Sequence, residues 1–255
     1  MRSLDDRYSV THRQELIAGF NQERLANAKG CFVGAGANSL LMLQEARKGI
    51  GAMTVLDHDS VDAGSNLNRQ FFYPRDIFKP KAWRLINNLA PHCTNPGGAV
   101  LTGIRLRFED AVGEGFDFSD CDFFVCIVDN GHARAAVSTY FRERGIPGVF
   151  CALSLDALVG YVFIQESKTD TPCIGCKFST TLYAKTKRCF VPSSIDIVTT
   201  ITGLASFAID TLLMPQRKRG WNWRLVSLNG FLPDESLIIK KNNVCPLCGT
   251  GKERV

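Results

Sequence analysis

The sequence predicts an α/β fold, a doubly wound and mostly parallel sheet with antiparallel strands toward its C-terminal end. Three observations carry this. First, a short apolar run at 30–33 opens into the glycine-rich turn GAGANS (34–39) and a helical stretch at 39–48, and a second apolar strand, AMTVLD (52–57), follows. Strand, turn, helix and strand at that spacing form a βαβ unit with parallel pairing and a right-handed crossover. Second, FFVCIV (123–128) is a continuous apolar run, as expected of a strand covered on both faces. Third, a helix at 132–144 and a strand at 148–152 continue the alternation. The first 152 residues therefore read as Rossmann-like.

Composition agrees and narrows the field. The chain has 255 residues with net charge +5 and 45% hydrophobic content, enough to build a sizeable core and too apolar for disorder. Charges of both signs are interspersed, so neither nucleic acid nor membrane is the expected partner. Residues 1–15 hold no apolar core of a secretory leader. The longest greasy stretch, 197–214, is interrupted by Thr, Gly and Asp210 and reads as a buried helix. The expected location is cytoplasmic.

The remaining elements follow in order. Residues 14–29 read as helical turns broken near Gly19. A helix is expected at 81–89, stopped by Ala90-Pro91, and a strand at 101–106. Residues 158–166 look like a strand, and 169–192, polar with Pro, Cys and a Lys/Arg cluster, like a long loop. A helix over 193–214 has Ser193 or Ser194 as its N-cap. Strands at 223–229 and 236–241 precede a cysteine-containing tail.

The turn at 34–39 is where chemistry enters. Gly34 permits a tight turn, Gly36 lets backbone amides approach a phosphate, and the helix N-terminus behind them adds unpaired N–H donors. Asp57, at the end of the next strand, fits the acid that holds a nucleotide ribose. The third glycine of the dinucleotide fingerprint is absent, and Ser39 stands there. These features serve NAD or ATP equally. What separates them is a polar run, LDHDSVDAGSNLNRQ (56–70), followed by KPK (79–81) and VDN (128–130) with Arg134 downstream. A dehydrogenase has no use for such a cluster, whereas three phosphates and a metal need neutralising.

In these motifs the sequence resembles the ThiF/MoeB/HesA family, bacterial relatives of ubiquitin-activating enzymes, whose pattern runs RYxRQ, GxGGLG, DxDxVxxSNLxRQ, GxxKA and DN. The likeness extends from about Arg7 to Cys248. It implies one adenylation domain over 1–255: an N-terminal helical segment (1–29), a nucleotide-binding core (30–152), and a crossover loop, carrier-binding strands and zinc site (153–255). It implies ATP and Mg²⁺, with Asp57 on the ribose, Asn66, Arg69 and Lys81 on phosphates, and Asp129 holding the metal. Arg13 resembles the arginine that such proteins lend across a homodimer. The implied partner is a ubiquitin-like or sulfur-carrier protein with a Gly-Gly-type C-terminus, its carboxylate adenylated with release of pyrophosphate. A conjugating or sulfur-transfer enzyme would act downstream. The sequence departs from the pattern in three places. ANS replaces GLG, one extra residue separates Asp59 from Ser65, and SVTH separates Arg7-Tyr8 from Arg13-Gln14.

The chain has ten cysteines. Cys31, Cys121, Cys126 and Cys151 lie in or beside apolar runs and read as core residues. CIGC (173–176) and CPLC (245–248) are two C-x-x-C turns, which together complete a closed tetrahedral Zn²⁺ site of structural kind, with a redox pair as the alternative. The likeness adds to the zinc reading. Cys189 follows Lys185, Lys187 and Arg188, and cations favour the thiolate. Its position resembles that of the acceptor cysteine, which takes the carrier as a thioester; a surface thiol is the alternative. His12, His58, His92 and His132 show no ligand spacing, and QRKRGW (216–221) reads as a solvated basic turn. Two other classes stay open: a nicotinamide oxidoreductase, which would leave Asn66, Arg69, Lys81 and Asp129 idle, and a non-catalytic scaffold.

Overall fold

The computed structural model describes residues 10–154, 156–178 and 193–249. Two short helices, α1 (His12–Glu15) and α2 (Gln22–Ala26), lie either side of Gly19, whose φ of 77° breaks the helical run. The βαβ unit is β1 (Lys29–Val33), α3 (Asn38–Lys48) and β2 (Ala52–Leu56). Then come α4 (Lys81–Leu89), β3 (Val100–Ile104), α5 (Phe108–Gly113), β4 (Phe123–Cys126), α6 (Gly131–Glu143) and β5 (Gly148–Leu153). The last part holds β6 (Val159–Gln165), α7 (Ile174–Lys177), α8 (Ile195–Leu213), β7 (Trp223–Ser227) and β8 (Glu235–Leu237).

The strands form one sheet in the order β3-β2-β1-β4-β5-β6-β7-β8. Pairing is parallel through β5 and antiparallel from β6 onward. The order reverses between β1 and β4, so the helices that follow them leave on opposite faces and open a crevice at the strands' carboxyl ends. One apolar layer packs α3, α4 and α8 on the sheet, and the other packs α5, α6 and α7. Phe124 and Phe141 stack in the second layer with ring centres 4.6 Å apart. The fold class is the expected one.

Differences from the sequence reading have local causes. Helix α5 is six residues long, too short to show periodicity. Strand β8 ends at Leu237 rather than continuing to 241 because the Asn222 side chain takes over both backbone groups of Ile239. It accepts from the Ile239 N–H at 2.6 Å and donates to its carbonyl at 2.9 Å. The described part of the loop after β6 contains α7. Ser194 is the N-cap of α8 by position, with no side-chain cap bond. Cys31, Cys126 and Cys151 are buried as expected, while Cys121 is half-buried. In the basic turn, Arg219 pairs with Glu166 and donates to Thr211 Oγ1 at 2.8 Å, and Arg217 lies over Phe20 and Phe207. Of its three cations, Lys218 alone is exposed, as the solvated reading expects.

Helix α8 is long and apolar enough to cross a bilayer, yet eleven of its residues are buried and it packs on α3, β5 and β6. A buried polar cluster fixes its register on α3. Lys48 Nζ lies 3.1 Å from Glu45 and 2.5 Å from Asp210, and Ser206 donates to Glu45 at 2.7 Å. Burial raises the Glu45 pKa. Burial also opposes the Lys48 charge, but Glu45 and Asp210 outweigh it and hold the lysine above its ordinary value.

Lys48→Ala removes the cation paired with buried Glu45 and leaves Asp210 only Arg217 at 3.8 Å, so it should cost about 3 kcal/mol in urea unfolding. Because Glu45 titrates above its unfolded value, protonation on acidification relieves its repulsion with Asp210. The loss should therefore be smaller at about pH 5 than at about pH 8.

Candidate functional site

The crevice between β1 and β4 is lined first by the glycine turn. Gly34 has φ of 89°, and a Cβ placed on it would sit 2.6 Å from the Ile127 carbonyl oxygen at the end of β4. No side chain fits there. At Gly36 a Cβ would meet only the end of the Gln70 side chain, at 3.5 Å, so the space beside the turn is open to a ligand. Asp57 closes the turn from β2: its Oδ2 accepts from the Ala35 N–H at 2.7 Å and its Oδ1 from the Asp59 N–H at 2.8 Å. Burial raises the Asp57 pKa against the charge of Lys81 and these two amides. Its remaining lone pairs can still accept from a sugar hydroxyl.

The polar run folds into a self-braced loop. Asp62 Oδ1 accepts from the Gly64 N–H and the Ser65 hydroxyl, and Asn66 Oδ1 accepts from the Asp62 N–H at 2.7 Å. Asn66 is 3% exposed, so much of its amide serves the loop itself. Arg69 is on the same loop, half-buried, and its guanidinium has no hydrogen-bond or ion-pair partner among the described residues; burial lowers its pKa. The far side of the loop is anchored by buried Asp76, which accepts from Arg84 at 2.6 Å and from Asn88 at 2.7 Å. Burial opposes ionisation of Asp76, but these bonds and the Tyr73 N–H outweigh it and lower its pKa.

Lys81 begins α4 and is 9% exposed, with its ammonium 3.3 Å from Asp59 Oδ2. Two bridges, Ser60 with Pro80 and Val61 with Ile77, tie the segment after β2 to the approach to α4 and hold Lys81 beside Asp57. Asp129 is exposed, two residues beyond Ile127, and Arg134 fixes that chain end by donating to the Val128 carbonyl at 2.6 and 3.1 Å.

Gly34, Gly36, Asp57, Asn66, Arg69, Lys81 and Asp129 thus gather around one end of the sheet. Arg13 does not join them. It is exposed on α1, whose Gln14 donates to the Lys48 carbonyl at the far end of α3. Eleven residues of helix separate that end from the turn, about 16 Å. Cys189, with Arg7 and Tyr8, lies outside the described residues. Sequence reasoning missed Asp59 as the counter-charge of Lys81, although DHD was in plain view, and it missed the positions of Ser39 and Gln70. A cavity of about 380 Å³ lined by Glu166, Thr211, Arg217, Arg219 and Trp221 lies at the opposite end of the sheet.

The four paired cysteines converge. Cys173 Sγ is 3.9 Å from Cys176 and 3.5 Å from Cys245, and Cys176 Sγ is 3.4 Å from Cys248. Tetrahedral bonds of about 2.3 Å to zinc would set the sulfurs about 3.8 Å apart, so the set fits the ion. Backbone amides of Asn242 and Leu247 donate to Cys176 and Cys245, as thiolates invite. Gly175 is required by close approach, since a Cβ there would meet Leu247 at 2.9 Å and Cys245 Sγ at 3.0 Å. Four thiolates this close need a cation between them. With zinc bound, four protein ligands would leave no open position, the arrangement of a structural site. Asp57, His58 and Asp59 also bring ligand atoms within 4.8 Å, but Asp59 is already paired with Lys81 and Asp57 with two backbone amides.

The model of the ThiF family matches residues 9–234. The sulfur carrier protein ThiS adenylyltransferase of Bacillus subtilis (strain 168) is 29% identical over 182 residues, 68% of this chain and 50% of that one. Ubiquitin-like modifier-activating enzyme 5 of Branchiostoma floridae is 27% identical over 165 residues, 61% of this chain and 40% of its own length. The chain thus spans about half or less of these curated relatives' length. Among solved structures, Escherichia coli MccB with MccA-N7isoASN superposes with a TM-score of 0.74 at 17% identity, covering 90% of this chain and 69% of that one. That likeness is one of fold.

Metal analysis of the purified protein should find one zinc ion per chain, and Cys248→Ser should lower its occupancy and the melting temperature together. Metal-free protein with four alkylatable thiols and unchanged melting would reject the site.

Proposed function

The chain belongs to the ThiF family, and from that premise we propose that it adenylates the C-terminal carboxylate of a ubiquitin-like protein, a sulfur-carrier protein or a peptide, using ATP and releasing pyrophosphate. The observation that carries this reading is Arg69, a half-buried guanidinium without a partner among the described residues, beside an open glycine turn. A desolvated cation in that state favours an anionic ligand.

The carboxylate oxygen bonds to the α-phosphorus as the bond between that phosphorus and the bridging oxygen breaks, and pyrophosphate leaves with the electron pair. A carboxylate at neutral pH is already ionised, so no general base is required. The difficulty is bringing two anions together. The amides of the turn, Arg69 and Lys81 screen that repulsion and hold the reactants in line. To reach a phosphate, Lys81 must exchange Asp59 for it, and the two groups are interchangeable acceptors for an ammonium. Asp57 takes the ribose. Asp129, a hard oxygen donor at the end of β4, is the residue to hold Mg²⁺, which supplies further charge neutralisation. The zinc centre takes no part in the chemistry. Its work is to tie residues 245–248 to α7.

Arg13 is exposed at the end of α3 farthest from its own chain's turn. That position supports a homodimer in which Arg13 serves the partner's site. Cys189 as the acceptor of a thioester is a further part of the proposal, resting on its sequence neighbours alone.

ATP–pyrophosphate exchange, dependent on a small protein or peptide with a free C-terminus, is the direct test. Lys81→Ala should lower it by 10² or more, about 2.7 kcal/mol of charge stabilisation. Near-wild-type exchange would remove Lys81 from the site, and failure to bind ATP with magnesium in calorimetry would overturn the whole reading. Cys189→Ala should retain exchange and lose the thiol-labile carrier adduct seen on non-reducing gels; an unchanged adduct clears Cys189.

A further inference from the structure

Two of the three residues that replace the family's GLG, Asn38 and Ser39, each make a specific bond at the site. Asn38 is fully buried, and its Nδ2 donates to the Val33 carbonyl at 3.0 Å and to the Gly34 carbonyl at 2.7 Å, clamping the end of β1 to the start of α3. Ser39 is also fully buried, and its Oγ accepts from the Phe71 N–H at 2.8 Å. A glycine at position 39 gives close packing and nothing more. Here the same position carries an acceptor, used by the residue that directly follows SNLNRQ.

Few other hydrogen bonds share its task. The 62–66 half of the loop is braced only on itself, through Asp62 and Asn66. From 66 to 71, Leu67 and Phe71 pack on the apolar core and the Phe71 ring meets His92 edge-on at 5.3 Å, contacts that fix no hydrogen-bond geometry. The polar contacts outward are Gln70 beside Gly36 and the Asn88 side chain on the Phe71 carbonyl at 3.3 Å. Among the described residues, Ser39 makes the hydrogen bond that joins this loop to α3. Loss of it leaves a part-buried N–H unpaired and removes the directional constraint on the loop backbone, which apolar packing alone does not replace.

We propose that Ser39 is a positioning residue for adenylation: through Phe71 it sets the loop bearing Asn66 and Arg69 at a fixed distance from the phosphate-binding turn. This rests on the reading above. Ser39 touches no substrate, and its effect passes through Arg69. It also accounts for the departure from glycine, since the hydroxyl gives the loop a fixed attachment that glycine cannot offer.

The test is a double-mutant cycle in pyrophosphate exchange. Ser39→Ala removes the hydroxyl without adding bulk, and kcat/KM should fall about tenfold, mostly in kcat, as expected for one hydrogen bond that aligns a transition-state ligand. In an Arg69→Ala background the same change should cost less than about twofold, because the group it positions is gone. Additive effects, or an unchanged kcat with only a lower melting temperature, would overturn the inference by making Ser39 a packing residue. Hydrogen exchange on the wild-type protein gives a second check that needs no variant. The Phe71 amide should exchange slowly, and rapid exchange there would also overturn it. Absence of exchange activity in the wild type would instead sink the adenylation reading, and this inference with it.

Discussion

A steric exclusion underlies the site. The carbonyl of Ile127 stands where any side chain at position 34 would have to be. Two parallel strands that leave for opposite faces can approach this closely only if one of them turns without a Cβ. From that contact the rest follows. The turn bends sharply enough to present the start of α3 to the crevice, Asp57 can reach back to the Ala35 amide, and β4 ends beside the same space. The crevice is therefore a by-product of strand order, and the sequence fills it with donors rather than with side chains.

The charged residues around that crevice are balanced differently from those elsewhere in the molecule. Beneath α3, Glu45, Lys48 and Asp210 pair with one another largely out of water, an arrangement that fixes helix register although one buried Glu45 oxygen has no hydrogen-bond partner. At the turn, Lys81 pairs with Asp59 and sits beside Asp57, whereas Arg69 has no carboxylate partner among the described residues. Mutually paired charge in the interior and, at the crevice, a guanidinium with no partner among the described residues are two uses of the same residue types. The second is what an anionic ligand requires.

Much of this was legible in the sequence, for physical reasons. The βαβ unit and α4 were readable because an apolar period and a glycine turn are local signals, and the helix at 81–89 matches residue for residue. The paired C-x-x-C turns were readable because two thiols at that spacing have one point to share. The Glu45, Lys48 and Asp210 cluster was not, since a polar residue in a helix gives no sign of which neighbour will bury it. The early end of β8 was also hidden, because it depends on a side chain fifteen residues earlier, Asn222, displacing the ladder. Ser39 is an intermediate case. Its departure from glycine was visible, but its reason required seeing Phe71 arrive from 32 residues away.

Helix α8 has one more consequence, for synthesis. A nineteen-residue apolar segment leaving a ribosome resembles a membrane anchor until something covers it. In this chain α3, β5 and β6, the surfaces it rests on, have all been made by the time it emerges. Its Asp210 finds Lys48 waiting, so the greasy segment has an ionic address as well as an apolar bed. The order of elements along the chain thus shortens the interval in which chaperones, insertion machinery or other nascent chains could capture it.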